Sequence, residues 1–116
     1  MSKNKDNYEA LINEGIINAK KGRLDEAESS FLDAIELNSN INKAYINLSN
    51  IYLLQNEFNK SITLLISYLK KIFDEDISNQ AAKICFKFNL RKDFNKLIKI
   101  IKLKNNIFNK EKKYIF

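Results

Sequence analysis

The sequence predicts an all-α fold, a stack of antiparallel helix hairpins, on three observations. Pro is absent and Gly occurs only twice in 116 residues, which starves tight turns and strand corners and favours long uninterrupted helices. Apolar residues recur at helical spacing: Leu24, Ala27, Phe31, Ala34 and Ile35 make one stripe on a helix. The third observation is an internal repeat, the signature of stacked supersecondary units. Leu11, Gly15, Leu24, Ala27 and Phe31 match Tyr45, Ser49, Phe58, Ser61 and Leu65, each pair 34 residues apart. At this length the chain makes one small domain, 1–116.

Asp6 with Glu9 three residues on is an N-cap and its reciprocal partner, so the first helix is expected over 7–21 and ends at Gly22. The second is expected over 24–37 and stops in the turn Asn38-Ser39-Asn40. The next hairpin repeats the pattern over 41–55 and 57–72. It breaks at Asn56 in the place of Gly22, and both residue types tolerate left-handed backbone. A third copy follows if the preceding connection gains two residues. Ala81, Ile84, Cys85, Phe88, Phe94, Leu97 and Ile101 then match Tyr45, Leu48, Ser49, Tyr52, Phe58, Ser61 and Leu65 at a spacing of 36, with Asp74-Glu75-Asp76 in the lengthened turn. Its helices are expected over 77–90 and 92–104. The repeats are thus bounded at 8–41, 42–77 and 78–104, and 105–116 reads as a basic tail or a short seventh helix. Gly15, Ala27, Ser49, Ser61 and Cys85 fall where two helices should approach closely and are expected to be buried.

The period and these residue types resemble the tetratricopeptide repeat, whose unit reads W-x2-L-G-x2-Y, then A-x3-F, then P. Leu11 stands for the Trp, Gly15 for the Gly, and Ala27 with Phe31 for A-x3-F. Glu14, Asn18 and Ser39 depart from the pattern where Leu, Tyr and Pro are expected. The second copy carries Tyr45, Leu48, Ser49 and Tyr52, then Ser61 and Leu65, with Phe73 at its Pro position. The resemblance covers about 8–104. It implies a right-handed superhelical stack of hairpins, a TPR-like α-solenoid, whose first helices line a concave groove for an extended peptide or partner helix. It also implies a non-enzymatic scaffold for protein–protein contacts.

On each first helix the seam residues fix the phase, so the groove face follows from helical spacing. The candidate partner-binding residues are Ile12, Asn13, Ile16, Lys43, Ile46, Asn47, Asn50, Lys83 and Phe86. Asn side chains can donate to and accept from a peptide backbone, Lys can pair with a carboxylate, and the Ile and Phe side chains offer apolar contact. One branch of the family grips a C-terminal carboxylate with basic residues and asparagines. Asn47 and Lys83 fall on two of those positions, but Ile12, Ile16 and Asn79 replace Lys, Asn and Lys, so that mode is not expected.

His and Trp are absent and Cys85 is the single cysteine, which removes His-dependent triads, Cys/His zinc sites and an intramolecular disulfide. No activity, cofactor or metal is expected. Two glycines cannot build a phosphate-binding loop, and Cys85 is expected to be an inert buried thiol. Asp74, Glu75 and Asp76 read as the first turn of a helix. Residues 1–58 hold 6 Lys/Arg against 9 Asp/Glu, a net −3, and residues 59–116 hold 14 against 5, a net +9. Phe86, Phe88, Phe94 and Phe108 lie among the lysines of the second half, and such a surface can stack single strands. Phe88 and Phe94, however, are expected to pack between hairpins. A protein or peptide partner is therefore expected. Nucleic acid, or an acidic or membrane surface, is the alternative, and a module serving an enzymatic domain a further one. The dense lysines predict a monomer or weak homodimer. Met1 to Ala10 carries four charges and no apolar core, so no secretory signal is read and a cytoplasmic location is expected. The apolar stretch 62–69 is too short to span a bilayer.

Overall fold

Among the described residues, three with left-handed backbone punctuate the chain. Gly22, Asn56 and Asn89 hold φ at +78°, +62° and +55°, and at each one a helix ends and the chain folds back. This computed structural model describes residues 7–113, with side chains described over 7–105. Among the described residues there are six helices and no strand: α1 Tyr8–Lys20, α2 Leu24–Leu37, α3 Asn42–Leu54, α4 Phe58–Lys71, α5 Glu75–Lys87 and α6 Arg91–Lys113. After each left-handed residue the next backbone N–H reaches back to a carbonyl in the last turn. These bonds are Arg23 N to Asn18 O at 2.9 Å, Glu57 N to Tyr52 O at 2.7 Å and Leu90 N to Cys85 O at 2.9 Å. They satisfy helix-end carbonyls that would otherwise lack partners.

The spacing of these turns corrects the expected third repeat. Gly22 to Asn56 is 34 residues but Asn56 to Asn89 is 33, so the connection before α5 carries no insertion and the 36-residue match does not hold for α5, whereas in α6 the buried Leu97 keeps the place of Ser61 at 36. In α5 burial follows the 33-residue spacing. Ala44, Tyr45, Leu48, Ile51 and Tyr52 of α3 are buried, and so are Ile77, Ser78, Ala81, Ile84 and Cys85 of α5. The acidic triplet is where the expected extra length disappears. Asp74 is the N-cap of α5, its Oδ1 accepting from Ile77 N at 3.0 Å, and Glu75 and Asp76 occupy the first turn, where the helix dipole favours negative charge. The helix therefore begins two residues earlier than expected. The separate seventh helix is also corrected: α6 runs without interruption to Lys113, because neither Pro nor Gly stands between Lys104 and Lys113 to end it. Residues 114–116 and the expected N-cap Asp6 lie outside the described residues, and the N-cap of α1 is Asn7.

Each helix packs on the next in sequence, as in a helical stack. One buried cluster joins α1, α2 and α3 through Ile12, Ala27, Phe31, Ala34, Leu48 and Tyr52. A second joins α3 to α6 through Tyr45, Ile62, Leu65, Ile66, Leu69, Ile77, Ala81, Ile84 and Leu97. The five expected seam residues are all buried. At two of them the closeness is measurable: a Cβ on Gly15 would stand 2.6 Å from Phe31 Cε1, and Ser61 Oγ donates to Ser49 O at 2.9 Å. No described helix is long and apolar enough to cross a membrane.

Gly15→Ala and Ala27→Leu should each overpack a seam and lower stability by roughly 1–3 kcal/mol, measured by urea denaturation. Asn56→Val should cost about 1–2 kcal/mol because a β-branched residue resists left-handed backbone, whereas Asn56→Gly should leave the midpoint unchanged or raised. Equal midpoints for the Val and Gly variants would remove the turn from this account.

Candidate partner-binding face

The first helices of the three hairpins form one side of the molecule. α3 touches both α1 and α5, whereas α2 and α4 do not meet, so the chain is drawn together on the α1–α3–α5 side over the first two hairpins. Two side-chain bonds tie these helices. Asn42 Nδ2, at the start of α3, donates to Asp74 Oδ2 at 2.9 Å, and Gln80 Nε2 on α5 donates to Asn50 Oδ1 on α3 at 2.8 Å. Between α1 and the start of α3 lies a cleft of about 330 Å³ walled by Tyr8, Glu9, Ile12, Asn13, Ile41, Asn42 and Lys43.

The candidate residues take different places on this side. Asn13 and Lys43 are exposed at the cleft. Ile12 is 3% exposed and belongs to the core. It supplies a wall but no apolar side chain for a partner to cover, because α1 rolls that position toward Ala27 and Phe31 of the same cluster. Ile16 and Ile46 are half-buried against the two clusters. Asn47 is turned back on its own helix, its Nδ2 donating to Lys43 O at 2.9 Å, and Asn50 is engaged by Gln80. Lys83 is exposed, and Phe86 is 89% exposed.

The 33-residue spacing also re-pairs the third helix. Asp76 and Gln80 take the places equivalent to Lys43 and Asn47, while Lys83 falls with Asn50 and Phe86 with half-buried Leu53. Gln80, Asn42 and Tyr8 escaped the sequence reading. The true repeat spacing would have found Gln80, and the bond from Asn42 spans 32 residues, which local pattern does not reveal.

Of the four aromatics among the lysines, Phe88 stacks on Phe58 with centroids 4.0 Å apart and is committed to packing. Phe94 corrects the expectation of burial: it is 38% exposed, because no further helix lies over that flank of α6 among the described residues. Phe108 is outside the described side chains.

Cys85 is 2% exposed. Its thiol is pushed up to about 11, by burial first and by the Asp93 carboxylate second, which leaves little thiolate at neutral pH. No group of three or more Cys, Asp or Glu is placed to hold a metal among the described residues. Comparison with protein-family models and with curated proteins finds no match.

Cys85 should therefore react with a disulfide reagent at pH 8 only as fast as the fold opens, and rapidly in denaturant. Because the folded thiol holds its proton longer than the unfolded one, its contribution to stability is complete below pH 9 and is lost as pH rises toward 11. Cys85→Ala should flatten that part of the stability profile.

Proposed function

We propose that the chain is a TPR-like solenoid working as a non-enzymatic scaffold, which binds an extended peptide or partner helix along its α1–α3–α5 side. The α1–α3 cleft supports this reading most, since it sets half-buried Ile41 beside the polar groups of Glu9, Asn13 and Lys43. An extended peptide needs that combination, polar partners for its main chain and pockets for alternate side chains. The fold supports it too. Hairpins with like turns and like buried positions, each resting on its neighbour, are the plan of a repeat array, which leaves one curved face unneeded for the core. Over the first two hairpins, contact of α1 with α3 while α2 and α4 stand apart favours curvature toward this side, and over the last two α4 also meets α6.

Carboxylate clamping is disfavoured further by the third helix, where Asp76 and Gln80 hold the places that a clamp would give to cations. Nucleic acid is the weaker partner, since Phe88 is already stacked and Phe94 is only partly open beside Phe86.

Selection of random displayed peptides on the immobilised chain should enrich binders whose affinity falls about tenfold or more in Lys43→Glu combined with Asn13→Ala. Both residues are exposed, so helicity and the melting midpoint should stay unchanged. An enriched set in which no peptide loses affinity in this variant would rule the cleft out.

A further inference from the structure

The end of the stack formed by α5 and α6 carries an apolar strip that the fold leaves open. Phe86 is 89% exposed and Phe94 38% exposed. Together with Cys85, Asn89, Leu90 and Arg91 they wall a hollow of about 320 Å³ at the turn between the two helices. Ile98, half-buried, continues the strip one helical turn beyond Phe94, since residues four apart share a face.

The chemistry around this strip shows what kind of occupant it fits. In the preceding hairpin, Ile62, Ile66 and Leu69 of α4 are buried in one cluster with Ile77, Ala81, Ile84 and Cys85 of α5. In α6 the buried Leu97 holds the place of Ser61, 36 residues on, so the counterparts of Ile62, Ile66 and Leu69 are half-buried Ile98 and exposed Lys102 and Asn105. A fourth hairpin seated on α6 as α5 sits on α4 would bury Lys102 and Asn105, at a cost of several kcal/mol for the unpaired ion. The strip is bordered on its α5 side by Lys83 and at the turn by Arg91, both exposed, and neither makes an ion pair with a described residue. An apolar strip edged by unpaired cations is complementary to apolar side chains edged by carboxylates. A symmetric second copy would set these cations against one another.

We propose that the α5–α6 end of the stack is a docking site for an acidic peptide segment of a partner protein. An aromatic or branched apolar side chain of that segment enters the hollow beside Phe86, and its Asp or Glu residues pair with Lys83, Arg91, Lys99 and Lys102. A peptide fits better than a single-stranded nucleic acid. The two exposed aromatics, Phe86 and Phe94, wall a single apolar hollow, whereas strand binding uses successive stacking platforms along a groove. The inference adds a second contact region to the scaffold reading and rests on that reading for the role of the chain.

Random-peptide display on the full chain, followed by fluorescence anisotropy of the enriched peptides, tests it. The expected set contains peptides with two or more Asp or Glu around a Phe, Leu or Ile. Their affinity should fall about tenfold or more in Phe86→Ala, as for an anchor side chain. Lys83→Glu with Arg91→Glu should weaken them too, and binding should drop between 50 and 200 mM salt because exposed charge pairs are screened over about 8 Å at physiological ionic strength. Circular dichroism should be unchanged in each variant, as these side chains are exposed. An enriched set in which no acidic peptide loses affinity in Phe86→Ala overturns the inference. So does tighter binding of a 12-nucleotide oligo-dT lost in the same variants, or a homodimer by light scattering that Phe86→Ala dissolves. Peptides sensitive to Lys43→Glu with Asn13→Ala but not to Phe86→Ala would leave the groove standing and remove this site alone.

Discussion

Ser61 donates to the carbonyl of Ser49 at 2.9 Å, and the stack depends on helices being able to come that close. A side chain on α4 reaches backbone of α3 only because both positions are small. The same economy puts Gly15 against the ring of Phe31, with no room for even one added carbon. With the seams closed, Phe31, Leu48, Ile62 and Leu65 are fully removed from water, and that burial is the main stabilising contribution. The hydroxyls at the seams are themselves satisfied, Ser49 Oγ donating to Ile46 O at 2.7 Å. No buried side-chain polar atom lacks a partner among the described residues.

Tyrosines hold the connection between the first two hairpins. Tyr45 OH donates to Ser39 O at 3.1 Å and Tyr68 OH to Asn40 O at 3.0 Å, with the two rings 4.6 Å apart. Burial raises the pKa of both phenols, with Asp74 adding to the rise at Tyr68, so they remain donors at neutral pH. The next connection is held differently, by the Asp74 cap and its bond from Asn42. These fastenings consume much of the polar chemistry on the α1–α3–α5 side. Asn42, Asn47 and Asn50 are all engaged, which leaves Glu9, Asn13 and Lys43 at one end and the basic, aromatic α5–α6 end at the other.

The division of charge acquires meaning only in space. The acidic half lies in α1 to α3, and the basic half begins in α4 and culminates in α6, where Lys102 and Asn105 stand in the places of Ile66 and Leu69 of α4. The last helix thus carries the seam pattern on its inner side, where Leu97 is buried, and a charged surface where another hairpin would have to sit.

The sequence by itself determined the helices, the first two hairpins, the left-handed turns at Gly22 and Asn56, and the buried small seams at Gly15, Ala27, Ser49 and Ser61. Each of these is set by local spacing, which is already present in the unfolded chain. Burial of Cys85 was legible as well, although the repeat spacing from which it was read was three residues out. A match of bulky and small residues at 36 competed with the true 33, and local pattern carries no penalty for an inserted loop. Only the tertiary structure decided that competition, because the Asp74 cap and the left-handed Asn89 fix where α5 begins and ends. It also decided the candidate face. Periodicity gives a side chain's direction about its own helix but not the tilt of that helix against its neighbours, so Ile12, read as groove, lies in the core, and Phe94, read as core, lies open. Bonds such as Gln80 to Asn50 join residues 30 apart and exist only once the hairpins have stacked.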